Sequence, residues 1–177
     1  MSSRTDRLIE TLWQERANSK TTVWALLDGA RDDQIFPLLR DSGLDHLCLY
    51  SGALPRPLRF AAPYMVELSP AYSATRRLID ASFGNSWGIF LQLADPANLR
   101  PHLRKLLKVQ DESRRTLLFR YYDPRVLRIF LPTCDSGQLK EVFGPISCFW
   151  AEGEDGRSVL EFRYDGQRLM TQQFQLD

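Results

Sequence analysis

The sequence predicts a single α/β domain: a mixed sheet with helical cover and a short antiparallel β meander at its C-terminal end. Three observations lead there. Short apolar runs alternate with amphipathic segments as far as residue 131. From residue 146 the helical pattern stops, and three strand-like runs follow, split by glycine-bearing turns. The 177 residues, 44% hydrophobic and 11% aromatic, suffice for one core and contain no repeat and no low-complexity linker.

The elements can be justified in order. Ser3-Arg4-Thr5-Asp6 reads as a capping box opening an amphipathic helix with Leu8, Ile9, Leu12 and Trp13 on one face, so residues 1–20 form a helical flank. TTVWALL, 21–27, is a buried strand that stops at Asp28-Gly29. A short helix follows, apolar at Ile35, Leu38 and Leu39 and stopped by Gly43; HLCLY, 46–50, is the second strand. Pro55, Pro57 and Pro63 mark an irregular loop before a third strand at 64–68. Residues 73–83 are helical up to Gly84, and WGIFLQL, 87–93, is a strand. The pattern then gives a helix over 96–109, a strand over 116–122, a helix over 124–131 and a helix over 136–143. Residues 151–177 make the β-rich tail.

Composition narrows the chemistry. A net charge of +1 offers no global field for nucleic acid or membrane. The amino terminus has no apolar signal-like core, and no run reaches the roughly 20 apolar residues of a membrane span. Three widely spaced cysteines, Cys48, Cys134 and Cys148, suit reduced thiols in a cytoplasmic protein better than a disulfide framework. With only His46 and His102 besides, no metal-ligand spacing occurs, and no glycine-rich phosphate loop is present, so neither metal nor cofactor is expected. Asp28, Asp32 and Asp33 cluster after a strand end, where aspartates commonly serve turns and caps.

Gly84-Asn85-Ser86-Trp87-Gly88 satisfies G-x-S-x-G. The hydrolase elbow runs from strand to helix, whereas here a helix precedes the motif and a strand follows it. A helix stop and a turn explain it, and no catalytic residue is assigned.

The basic segment is more informative. Residues 100–128 hold nine bases against three acids, a local excess of +6. Leu99, Leu103, Leu106 and Leu107 share one side of their helix, opposite Arg100, Arg104, Lys105 and Lys108. Asp123 caps the next helix and Pro124 occupies its first turn. Val126, Leu127, Phe130 and Leu131 form its buried stripe, and Arg125 and Arg128 share the opposite face with Ile129. Tyr121 and Tyr122, closing the preceding strand on opposite sides of the sheet, leave one of the pair near the surface. Two consecutive helices exposing arginine form a platform suited to protein contacts, since the guanidinium pairs with carboxylates and stacks on aromatics. A nucleic-acid-binding module built on 100–128 is the alternative, disfavoured by the neutral total charge and the lack of a reader motif.

The blocks WALLDGA (24–30), PYMVEL (63–68), WGIFLQ (87–92), HLRKLLKV (102–109), LFRYYDPRVLRIFLP (118–132) and FGPI (143–146) resemble, in order and spacing, the type VI secretion effector adaptors, a family first catalogued as a domain of unknown function. The resemblance spans about residues 22–150, so 21–150 is read as the family core. It implies a cytoplasmic adaptor or chaperone, not an enzyme, that holds an effector toxin and helps load it on the VgrG spike protein. Longer members carry an additional carboxy-terminal lobe suited to their cargo, where this chain has the short meander. The expected partner contacts are Arg104, Lys108, Arg125 and Arg128, flanked by Tyr122 and Trp87.

Overall fold

The computed structural model describes residues 3–14 and 20–176; the parts of the expected N-terminal flank at 1–2 and 15–19, and residue 177, lie outside the described residues. Helix α1 (Arg4–Leu12) starts where its capping box predicts. The Asp6 amide donates to the Ser3 hydroxyl at 3.1 Å, and the Ser3 amide donates to the Asp6 carboxylate at 2.8 Å. The chain continues through β1 (Thr22–Asp28), α2 (Ile35–Ser42), β2 (His46–Cys48), α3 (Arg56–Ala61), β3 (Pro63–Leu68), α4 (Ser73–Ser82) and β4 (Gly88–Leu93). Next come α5 (Leu99–Leu106), the hairpin strands β5 (Lys108–Gln110) and β6 (Thr116–Leu118), α6 (Pro124–Phe130), a 3-10 turn (Leu131–Thr133) and α7 (Ser136–Phe143). Strands β7 (Cys148–Glu152), β8 (Ser158–Tyr164) and β9 (Leu169–Gln175) form the terminal meander.

Seven strands make one open sheet in the order β2-β3-β1-β4-β7-β8-β9. The α/β class, the helical cover and the meander agree with the sequence reading, but the strand directions are not mixed: every pairing is antiparallel. Helices nevertheless cover both faces. On one side Leu8 and Leu12 of α1, Ile35 and Leu39 of α2, and Leu78 and Ile79 of α4 pack on Val23, Ala25, Val66, Phe90 and Trp150. On the other, Leu99 and Leu103 of α5, Leu127 of α6 and Phe143 of α7 pack on Leu26, Met65, Leu91 and Phe149. Burial on both faces accounts for the unbroken apolar runs in β1 and β4, a pattern more usual in parallel sheets.

Two further boundaries differ from expectation. The proline-rich stretch before β3 folds as α3, because Pro55 at its cap and Pro57 in its first turn both suit a helix start. The helix expected over 96–109 stops at Leu106, and the strand expected over 116–122 shortens to β6, which pairs with β5 outside the main sheet. Helix α7 ends at Gly144, whose φ is +48°; a Cβ there would lie 2.3 Å from the His102 ring. Only glycine fits both the backbone and that contact.

Candidate partner-docking surface

Helix α6 carries the two arginines that the sequence singles out, and both are tied down at one end. The Asp123 carboxylate accepts the Arg125 amide at 2.9 Å, capping the helix, and accepts the same residue's guanidinium at 2.9 and 2.5 Å. Burial alone raises the Asp123 carboxyl, but the hydrogen bonds from Arg125 outweigh it and hold the group below its ordinary value. Arg128 donates to the Glu152 backbone carbonyl at 2.5 Å, linking α6 to the end of β7. Its Nε is buried with no partner. Beside them on the same face of α6, Ile129 stands 72% exposed, the most open large apolar side chain among the described residues.

Arg125, Arg128 and Ile129 line a pocket of about 380 Å³ with Ser86, Glu152 and Glu154. The fold thus brings the G-x-S-x-G turn beside the basic helix, a juxtaposition the sequence reading missed because Glu152 lies far along the chain. The turn is structural in its bonding. Glu152 accepts the Gly84 amide and the Ser86 hydroxyl, each at 2.7 Å, and so holds Ser86 at a φ of +54°. The histidines bond elsewhere: His102 to the Val142 carbonyl, His46 to the Leu44 carbonyl. Of the clustered aspartates, Asp28 is buried, accepts the Ala30 amide and pairs with Arg120, while Asp32 accepts the Gln34 amide. Among the described residues no three His, Cys, Asp or Glu side chains are grouped to hold a metal.

Arg104 and Lys108 fall elsewhere. Both are exposed on the α5 side, where Arg104 bonds to the Ser51 hydroxyl. Lys108 lines a groove with Lys105, Val109, Phe119, Phe130 and Glu141. The hairpin beside it leaves Leu117 and Leu118 47% and 53% exposed, a second apolar patch that the helix expected through residue 109 concealed. Phe130 joins the regions, since it belongs to α6 and faces the groove at the hairpin's base.

Tyr122 and Trp87 do not flank this surface: they are 1% and 5% exposed. Tyr121 is buried as deeply, which corrects the expectation that one tyrosine of the pair reaches water. The strand that would have placed them on opposite faces ends at Leu118. The two rings instead meet edge to face, 5.5 Å apart, with the Tyr121 hydroxyl donating to the Leu103 carbonyl at 2.8 Å. Burial, first of all, pushes both phenols above their ordinary value.

The ion pairs also reduce the local positive excess. Arg115 pairs with Asp111, Arg120 with buried Asp28, and Arg125 with buried Asp123, so the charge left without an acidic partner in these pairs lies at Arg100, Arg104, Lys105, Lys108, Arg114 and Arg128. A larger cleft of about 580 Å³ lies on the opposite face between α2 and α4, lined by Asp33, Leu38, Asp41 and Arg77. It holds none of the expected contacts. No helix among the described residues is long and apolar enough to cross a membrane.

A family model described as Domain of unknown function (DUF4123) matches residues 23–141, from β1 into α7. No curated protein and no solved structure matches the chain.

Proposed function

This chain belongs to the family described as Domain of unknown function (DUF4123), and from that premise we propose that it is an adaptor: it binds a type VI secretion effector non-covalently and helps load it onto the VgrG spike. The single observation that carries the reading is Ile129, an apolar side chain open to solvent beside two anchored arginines. Protein interfaces favour this mixture at their centres, because arginine forks held in place lose little entropy on pairing and the apolar group gains from dehydration. A standard interface buries about 1,600 Å², and the groove at Phe130 and the hairpin leucines extend the patch toward that size. The order and spacing of the sequence blocks that resemble the adaptors support the choice of partners.

The test is co-expression of this chain with effector and VgrG from the same genome, followed by affinity capture. Wild-type chain should retain both, and Ile129→Asp should lower retention at least tenfold while its circular dichroism and melting curve stay unchanged. Equal retention by the folded variant removes α6 from the contact. Retention of neither partner by the wild-type chain overturns the adaptor reading. Binding to nucleic acid that collapses between low and moderate salt would favour the basic-segment alternative, since phosphate contacts release counterions.

A further inference from the structure

The two edges of the main sheet are finished differently. Strand β2 is three residues long, and the Cys48 carbonyl at its end is taken by Arg100 at 2.9 Å. Strand β9 is seven residues long, LMTQQFQ, with no charge, no proline and an unbroken register against β8. Folded proteins generally blunt such an edge with a lysine, a proline or a bulge, because its free backbone groups are a template for another strand. None of these devices is present here.

The direction of the free groups follows from the ladder. The Leu176 amide donates to Arg157, and the Arg168 carbonyl accepts from Asp165, so even-numbered residues of β9 turn their backbone toward β8. Leu169, Thr171, Gln173 and Gln175 therefore point their amides and carbonyls outward. Residues 170–173 and 175 are exposed, so no helix among the described residues overhangs the strand.

We infer that β9 pairs antiparallel with β9 of a second copy of this chain, joining the two sheets in a reversible dimer. The strand is complementary to itself. A two-fold axis at Gln172 is the register that pairs all seven residues. It sets outward-facing Leu169 opposite Gln175 and Thr171 opposite Gln173, each able to exchange both backbone hydrogen bonds. It also sets Met170 opposite Phe174 on one face, a favourable sulfur–aromatic contact. With no charge on the strand, the copies meet without repulsion. Main-chain hydrogen bonds rather than buried area supply the affinity, as in strand addition generally, and the inference does not depend on the adaptor reading.

Analytical ultracentrifugation across tens to hundreds of micromolar tests it. The wild-type chain should move toward twice the monomer mass. Thr171→Pro removes only an outward amide and leaves the β8 ladder intact, so it should weaken self-association at least tenfold with an unchanged melting curve. Gln172→Lys and Gln172→Glu each put like charges opposite one another and should remain monomeric alone, while an equimolar mixture should recover the dimer mass. A wild-type chain that stays monomeric throughout overturns the proposal. So does a dimer indifferent to Thr171→Pro, because its contact lies on another surface.

Discussion

Glu152 accepts the Ser86 hydroxyl at 2.7 Å with one carboxylate oxygen and the Gly84 amide at 2.7 Å with the other. A side chain at the end of β7 thereby fixes the turn that leads into β4, its neighbour in the sheet. The serine of an apparent hydrolase motif is a strut between two strands.

Removing the carboxylate leaves two donors unsatisfied, so Glu152→Ala should destabilise the fold by about 1 to 3 kcal/mol. At Ser86, glycine should be tolerated better than alanine by about 1 kcal/mol, since Ser86 holds a positive φ that only glycine adopts without strain. Urea unfolding of the three variants checks both orderings.

The arginines of α6 and its lead-in should divide from Ile129 in their effect on stability. Arg120→Ala strands the Asp28 carboxylate, whose side chain is 1% exposed, and should cost about 2 to 3 kcal/mol, below the full penalty of a wholly buried pair because Arg120 itself reaches water. Ile129→Ser should stay within about 0.5 kcal/mol of the wild type. Chemical denaturation midpoints distinguish them. The same logic makes charge reversal at Arg125 a poor probe of docking, because it would set a carboxylate against buried Asp123.

Acid should destabilise the fold through half-buried His102, which links α5 to α7, before it reaches the carboxylates. The carbonyl of Val142 only accepts, so Nε2 of His102 carries the hydrogen at 2.9 Å. Burial first, then Lys105, pushes the imidazole below its ordinary 6.5 despite that bond. A depressed group favours the fold above its unfolded value, and the contribution is lost as pH falls through 6.5 toward the folded value. Melting temperatures measured from neutral to mildly acidic pH should therefore drop, and His102→Gln, which keeps a donor for Val142, should flatten that slope.

Much of the architecture was legible because it rests on local chemistry. The Ser3–Asp6 box, the Asp123 cap and the Gly144 stop mark the starts of α1 and α6 and the end of α7. The leucines of α5 and the apolar runs of β1 and β4 lie inside, as their spacing implies. Strand direction was not legible, since helices on both faces give an antiparallel sheet the same apolar runs as a parallel one. The β5–β6 hairpin was hidden because Lys108 continues the polar phase of α5. Arg125 and Arg128 meet in one pocket as their three-residue spacing suggests, whereas Arg104 and Lys108 lie apart from them, and Trp87 and Tyr122 are core. The role of Glu152 depends on a contact 66 residues distant, which no local pattern encodes.

The placement of β7 beside β4 also shapes how the chain emerges during synthesis. β1, β3 and β4 can assemble once residue 93 is free, yet the outer rim of β4 stays unzipped until residues 148–152 leave the ribosome. At about 5 to 20 residues per second that gap lasts several seconds. Throughout it, a naked hydrophobic strand and three half-docked helices face the crowded cell, so birth is the stage at which this protein is most exposed to misassembly.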